Sequence, residues 1–328
     1  MKEILQYLFN HNTLSKSEAK AIMIEIAQNK FNTTEVASFI SIFLMRNISL
    51  DELEGFREAL LQMAIPVNLH TNETVDIVGT GGDGKNTINI STLACFVVAG
   101  AGQKVTKHGN YGASTITGSS NVMEELGYHF TDNSDLLNEN LEKANICFLH
   151  APYFHPALKS VGALRKALGL RTFFNLLGPL VNPVKPQFSV IGVYNLEIAR
   201  IYQYLLQKDQ RNFILVHGLD GYDEISLTQD SKIISKEGES IYSAEDLGFQ
   251  AVAPESIKGG NTPKESAKIF MDILEGNGTE QQNAVVLANA AIALHHTGKY
   301  GEYDQALLSA KESLESGKAL RSLQLIRN

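Results

Sequence analysis

Along the first 66 positions, apolar residues recur three and four apart, as on one face of a helix. Ala21, Ile22, Ile24 and Ile26 form one such run, and the stretch from Val36 to Met45 is apolar on most of its faces. Ser15 with Glu18 and Ser49 with Glu52 fit the capping box that opens a helix, and Asn32 with Glu35 is a weaker form of it. The segment reads as a small all-helical N-terminal domain closed by Pro66. A bundle this short has little core of its own. The run at 36–45 is therefore expected to be buried twice over, in the bundle and against a second copy of the chain. A bundle packed only on the main domain is the plainer alternative.

From Thr74 the pattern changes to strands followed by helices. TVDIV reads as a strand, GTGGDGKN as a glycine loop, ISTLACFVVAGAG as an apolar helix and QKVTK as a second strand. Together they make a βαβ unit. Further strands are expected at ICFLH, FSVIGVY and NFILVHG. Helices are expected at ALKSVGALRKAL, LEIARIYQYLLQ and from about Pro263 onward. Short alternating runs, EISLT and SKIISK, predict antiparallel additions to the sheet. The fold class is α/β, with the helical domain at 1–66 and a larger α/β domain with a mostly parallel central sheet at 67–328.

Composition narrows the function. The 328 residues are 44% hydrophobic, enough for about two domains at roughly 150 residues each. The net charge is −8, with no Lys/Arg cluster, which argues against nucleic acid as a partner. No apolar stretch approaches the ~18 residues of a membrane span; ASFISIFLM comes nearest and is too short. The first residues, MKEILQYLFNHN, lack the apolar core of a signal peptide. Cys95 and Cys147 sit in apolar runs and read as buried thiols in a reducing cytoplasm.

The chemistry concentrates in the glycine loop. Gly79, Gly81 and Gly84 match the dinucleotide fingerprint, but that site needs an acid about 20 residues on, and none follows before Glu124. Gly79, Gly84 and Lys85 nearly match a P-loop, but Asn86 stands where Ser or Thr should be. What remains is common to both: backbone N–H groups and a helix N-terminus that favour an anion. Thr87, Asn89, Ser91 and Thr92 add polar side chains beyond what one helix cap requires. Lys107-His108-Gly109-Asn110 follows the second strand, at the carboxyl end of a parallel sheet where ligands bind. The hydroxyl-rich stretch from Tyr111 to Ser120 reads as a second phosphate clamp or, more plainly, a surface loop. Asp223 and Glu224 follow the strand NFILVHG and are candidate Mg²⁺ ligands, with Asp220 a weaker third.

Taken together, DIVGTGGDGKNTINISTLACFVVAGAG, KHGN, the Gly118-Ser119 turn, HPALKSVGALRKALGLRTFFNLLGPLVNP and HGLDGYDE resemble the anthranilate phosphoribosyltransferase family, in order and spacing, over about residues 5 to 328. The resemblance implies transfer of a 5-phosphoribosyl group from phosphoribosyl diphosphate to the amine of anthranilate. It implies that Gly79, Gly82, Asp83, Thr87, Asn89, Ile90, Ser91 and Thr92 hold phosphoribosyl diphosphate, with Lys107, His108, Gly109, Asn110, Ser114, Thr115 and Ser119. Anthranilate would meet Gly79, Asn110 and Arg165, with His108 and His155 lining its approach. Two Mg²⁺ ions are implied, one on Ser91 and Glu224 and one on Asp223 and Glu224. A homodimer through the helical domain is implied, with residues of about 165–185 folded back onto that domain and GPLVNP near the cleft. The sequence departs from the family at Tyr111, where Arg is usual, at Ile116, where the loop usually carries Lys, at Ser120-Asn121 in place of Ala-Asp, and at Ser266 in place of Asn.

Such a reaction needs positioning and electrostatics more than a base, because an aromatic amine is already unprotonated near neutral pH. The absence of a nucleophile motif fits that. A pyrimidine nucleoside phosphorylase of the same fold is the alternative enzyme. A nucleic-acid-binding relative and a P-loop nucleotidase are the remaining readings.

Overall fold

The computed structural model describes residues 1–112 and 117–327. Four helices open the chain: α1 (Lys2–Phe9), α2 (Lys16–Ala27), α3 (Thr33–Met45) and α4 (Leu50–Met63). Capping boxes start α2, α3 and α4 at Ser15, Asn32 and Ser49, the weaker Asn32 signal included. Val36, Phe39, Ile40 and Phe43 of α3 face the bundle core. Leu44 and Met45 at its end are exposed.

The remainder is a seven-stranded sheet with helices on its faces. Its strands are β1 (Val75–Gly79), β2 (Val105–Gly109), β3 (Ile146–His150), β4 (Phe188–Gly192), β5 (Asn212–Gly218), β6 (Ser231–Ser235) and β7 (Glu239–Tyr242), in the order β3-β2-β1-β4-β5-β6-β7. The first five are parallel, and β6 and β7 are antiparallel additions. Between them run α5 (Ile90–Gly100), α6 (Ser119–Glu125), α7 (Ser134–Ala144), α8 (Ala151–Phe154), α9 (Pro156–Ser160), α10 (Gly162–Leu168), α11 (Phe174–Leu177) and α12 (Leu196–Lys208). The chain ends in α13 (Pro263–Leu274), α14 (Glu280–His296), α15 (Tyr303–Glu315) and α16 (Lys318–Ile326).

Two expectations change. EISLT is not a strand. Its backbone bonds go outside any ladder: Asn289 on α14 accepts from the Ile225 N–H and donates to the Ile225 carbonyl, and the Leu227 carbonyl accepts from the Val252 N–H. ALKSVGALRKAL is two short helices rather than one. Val161 and Gly162, both weak helix formers, sit at the break, and α10 buries no side chain that could hold the two in line.

The sheet separates two cores. On one face, α5 and the helices after β7 bury Phe96, Phe148, Phe270 and their neighbours. On the other, Ile191, Val193, Phe213 and Leu215 join α12 and the helical bundle in a single cluster. Residues 173–181 plug the bundle: Phe173 stacks on Phe56 at 4.7 Å and meets Phe39 and Phe43 edge-on. The bundle is thus sealed by chain that comes from beyond β3. Cys95 and Cys147 are buried and unlinked.

Candidate active site

A cleft of about 240 Å³ opens where the carboxyl ends of β1, β2 and β5 meet α10 and α11. Its existence depends on two glycines. Gly79 and Gly192 are partners on β1 and β4, and the chain after β5 crosses directly over them. A Cβ at Gly192 would lie 1.5 Å from the Asp223 carbonyl oxygen, and one at Gly79 would lie 2.4 Å from Asp223 Oδ2. The bare backbone lets Asp223 reach the cleft floor.

Three carboxyl groups gather there. Asp223 Oδ2 accepts from the Gly81 N–H at 2.6 Å. Glu224 Oε1 accepts from the Ser91 N–H at 2.9 Å, at the start of α5. Asp83, on the glycine loop, accepts from the Lys85 N–H at 3.0 Å. No lysine or arginine is ion-paired with them among the described residues. Burial and the charge of Asp223 push the Asp83 carboxyl up to about 7. Burial, with the same neighbour, holds Glu224 well above the ordinary carboxylate range, and burial raises Asp223 as well. Such a cluster calls for a cation. Asp220 is not part of it; its Oδ2 is taken by the Thr228 hydroxyl.

The glycine loop is braced from behind. Gly81 and Gly82 have φ of 64° and 74°, open to glycine and strained for other residues. The Ile88 N–H donates to Ile257, the Gly259 N–H donates to Asn86, and Arg171 donates to the Gly82 carbonyl while lying 3.9 Å over the Tyr194 ring. Asn86, Thr87, Asn89, Ser91 and Thr92 line the cleft beside it.

The opposite wall carries cations and neutral imidazoles. Lys107 is 2% exposed, and its Nζ donates to the Ile77 carbonyl at 2.7 Å. His108 donates from Nδ1 to Gly178 at 3.0 Å, and burial beside His155 pushes it down to about 3, so it stays neutral. Arg165 lies 5.3 Å over Phe174, with Nη2 3.5 Å from the Asn175 amide oxygen. It has no acid partner among the described residues, and burial lowers its pKa.

Most of the residues singled out in the sequence come together here: Gly79, Gly82, Asp83, Thr87, Asn89, Ser91, Thr92, Lys107, His108, Gly109, Asn110, Ser119, Arg165, Asp223 and Glu224 all line the cleft. Two do not. Ile90, the first residue of α5, turns its side chain wholly into the core. His155 is buried behind His108, its ring 5.2 Å away, and its Nε2 bonds the Val181 carbonyl; it backs the wall rather than lining the approach. Ser114, Thr115 and Ile116 lie outside the described residues. Tyr111 leans on the His150 ring at 4.9 Å and donates to Glu124. Asn121 Oδ1 accepts from both Gly112 and Gly118 at 3.0 Å and closes the neck of that loop. Phe174 and Asn175 also line the cleft without having been singled out, as do Lys85, noted only in the rejected P-loop match, and Pro179 of the GPLVNP stretch expected near the cleft. Phe174 and Asn175 lie in an apolar run that reads as core.

Comparison with known proteins agrees with this geometry. Residues 71–320 match the glycosyl transferase family α/β domain, and residues 2–64 match the glycosyl transferase family helical bundle domain. An anthranilate phosphoribosyltransferase of Bacteroides fragilis is 54% identical over 99% of this chain and 98% of its own. The chain belongs to the anthranilate phosphoribosyltransferase family. The Thermus thermophilus member superposes with a TM-score of 0.89 at 31% identity, covering 98% of each chain. The Saccharomyces cerevisiae member, solved in complex with PRPP and Mg, superposes with a TM-score of 0.86 at 28% identity, covering 95% of this chain and 92% of its own. No helix among the described residues is long and apolar enough to cross a membrane.

Proposed function

We propose that this enzyme transfers the 5-phosphoribosyl group from 5-phosphoribosyl 1-diphosphate to the amine of anthranilate, releasing diphosphate, in tryptophan biosynthesis. The observation that carries the reading is Arg165. A half-buried guanidinium in a cleft, resting on an aromatic ring and lacking an acid partner among the described residues, suits a small aromatic carboxylate.

The sugar phosphate belongs on the other side. Gly79, Gly82, Asp83, Thr87, Asn89, Ser91 and Thr92 surround it on the glycine-loop side, with the N-terminus of α5 favouring its negative charge. Lys107 to Asn110 and Ser119 face it from the β2 side. Ile90 contributes only as backbone. Ser114 and Thr115 are assigned to the same binding through the family likeness. Asn110, His108 and Gly79 sit between the two substrates, and His155 supports His108.

The donor set fits Mg²⁺. No group of three His, Cys, Asp or Glu side chains among the described residues forms a ready cage. Mg²⁺ does not need one, because it commonly takes one or two carboxylates and completes its shell with phosphate oxygens and water. We assign Ser91 with Glu224, and Asp223 with Glu224, to two ions. The chemistry supplied by bound Mg²⁺ is neutralisation of the charge that builds on the departing diphosphate. The protein's own part is to place the amine in line with the sugar carbon and to exclude water, which would hydrolyse the activated sugar. A neutral His108 fits that role, since a charged one would compete for the diphosphate.

The helical domain is assigned to 1–66 with about 165–185, and the α/β domain to the rest of 67–328. Exposed Tyr7, Phe9, Leu44 and Met45 on α1 and α3 suit a homodimer through that domain. Two unlinked, buried thiols suit the cytoplasm. The test of the reaction is the decay of anthranilate fluorescence with purified enzyme. The decay should need both Mg²⁺ and phosphoribosyl diphosphate; persistence of the signal with all components present would overturn the reading.

A further inference from the structure

The sheet is regular everywhere except beside the cleft. β1 pairs with β4 along its whole length, from Val75↔Phe188 to Gly79↔Gly192, and β2 pairs with β3 from Val105↔Ile146 to Gly109↔His150. Between β1 and β2 only Val75↔Val105 is paired. Beyond that rung, the strands are joined by side chains. The Thr74 and Thr106 hydroxyls meet at 2.8 Å, and Lys107 Nζ reaches across to the Ile77 carbonyl.

The decisive links come from two fully buried residues that do not line the cleft. Asp76 Oδ1 accepts from the His108 N–H at 3.3 Å. Asn182 Nδ2 donates to Asp76 Oδ2 and to the Thr106 carbonyl, both at 2.9 Å. Thr106 and His108 present on β2 the groups that a parallel ladder would have offered to β1. A buried N–H or carbonyl left unmet is costly, so an open seam here needs such substitutes. A regular ladder would draw the strands to about 4.8 Å and close the seam that Lys107 occupies.

Asn182 also ends the stretch that forms part of the cleft wall. Gly178 accepts from His108, Leu180 from Arg57 Nε at 3.3 Å, and Val181 from His155 at 2.8 Å. The same pair therefore ties three things together: the floor strand β1, the β2 end that carries Lys107, His108 and Asn110, and the wall at 178–182.

The geometry points to Asp76 and Asn182 as a positioning pair for the transfer reaction, standing in for the missing β1–β2 rungs and fixing the β2 end against the glycine loop and the 178–182 wall. This rests on the reaction proposed above. The pair touches neither substrate and acts through Lys107, His108 and Asn110.

The test uses the full chain with Mg²⁺ and both substrates, and three variants: Asn182→Ala, Asp76→Asn and Thr74→Val. Thr74→Val is the control, since it loosens the same seam at the end away from the cleft. Asn182→Ala should lower kcat/KM for phosphoribosyl diphosphate about a hundredfold, the scale of a small misplacement of reacting groups. Asp76→Asn keeps an acceptor for His108 and should fall less. Thr74→Val should lower Tm yet leave kcat and both KM values as in the parent. Parent-like kinetics in both pair variants would overturn the assignment, and so would a kinetic loss in Thr74→Val equal to theirs. Failure of both pair variants to fold would also overturn it, by making the pair a requirement of the fold alone. An inactive parent enzyme would instead remove the reaction itself, and this assignment with it.

Discussion

The two walls of the cleft carry opposite charge and share one property: no ion pair joins them among the described residues. On the glycine-loop side, Asp83, Asp223 and Glu224 crowd together with raised pKa values, supported by backbone N–H groups and the Thr80 hydroxyl. On the far side, buried Lys107 and half-buried Arg165 rest on a carbonyl, an aromatic ring and an amide, and neither forms an ion pair among the described residues, although the Lys107 charge acts through space on Asp76 and Glu224. Elsewhere in the molecule charges find partners. Glu52 takes Arg46 and Glu54 takes Lys16 and Lys208. Charges left unmatched in one cleft destabilise the empty protein and are offset only when ligands of the complementary charge arrive. The acid wall suits a metal diphosphate, and the cation wall suits an anionic substrate.

The largest expected effect breaks the acid wall. Glu224→Gln should reduce turnover by about a hundredfold, comparable to losing one preorganised electrostatic contact to a transition state. It should also weaken the dependence of rate on Mg²⁺ concentration. A variant with the parent's Mg²⁺ response would take Glu224 out of the metal site.

Next comes the cation wall. Arg165→Ala removes a charge-assisted contact worth about 1.5–3 kcal/mol. The KM for anthranilate should therefore rise by about one to two orders of magnitude, with the KM for phosphoribosyl diphosphate little changed. Steady-state kinetics in each substrate checks this, and equal rises in both would undo the division between the walls.

The smallest effect concerns stability and pH. The folded-state pKa of Asp83 lies above its ordinary value of 3.8, at about 7. Its contribution to stability is therefore present below about pH 4 and lost as pH rises through about 7. Asp83→Asn lacks that loss. In metal-free protein the variant should melt with the parent at pH 4 and a few degrees above it at pH 8. A Tm difference that stays constant across the range would show that Asp83 is not pressed by its neighbours.

Much of this was legible in the sequence, and the part that was not has a physical cause. The capping boxes at Ser15, Asn32 and Ser49 are local, and all three formed. The strand–glycine loop–helix pattern after Thr74 is local too, and it fixed the cleft floor. Ile225 and Leu227 misled because alternation marks burial, while the backbone of Ile225 bonds Asn289 on a helix far along the chain and the Leu227 carbonyl bonds Val252. His155 misled for a related reason: a motif can bring a residue close to a site without saying whether it faces the ligand or stands behind a neighbour. Asp76 and Asn182 lie within the motifs that carry the family likeness, but nothing local in the sequence gave either one a role. Only the failed pairing of two neighbouring strands gives them a task.

The most direct test of the two-wall account compares anthranilate with its neutral carboxamide as acceptor, in the parent enzyme and in Arg165→Ala. The parent should strongly prefer anthranilate in kcat/KM, and the variant should have lost most of that preference by losing activity on anthranilate alone. A preference of the same size in both proteins would contradict the account, because the carboxylate would then be read by something other than Arg165.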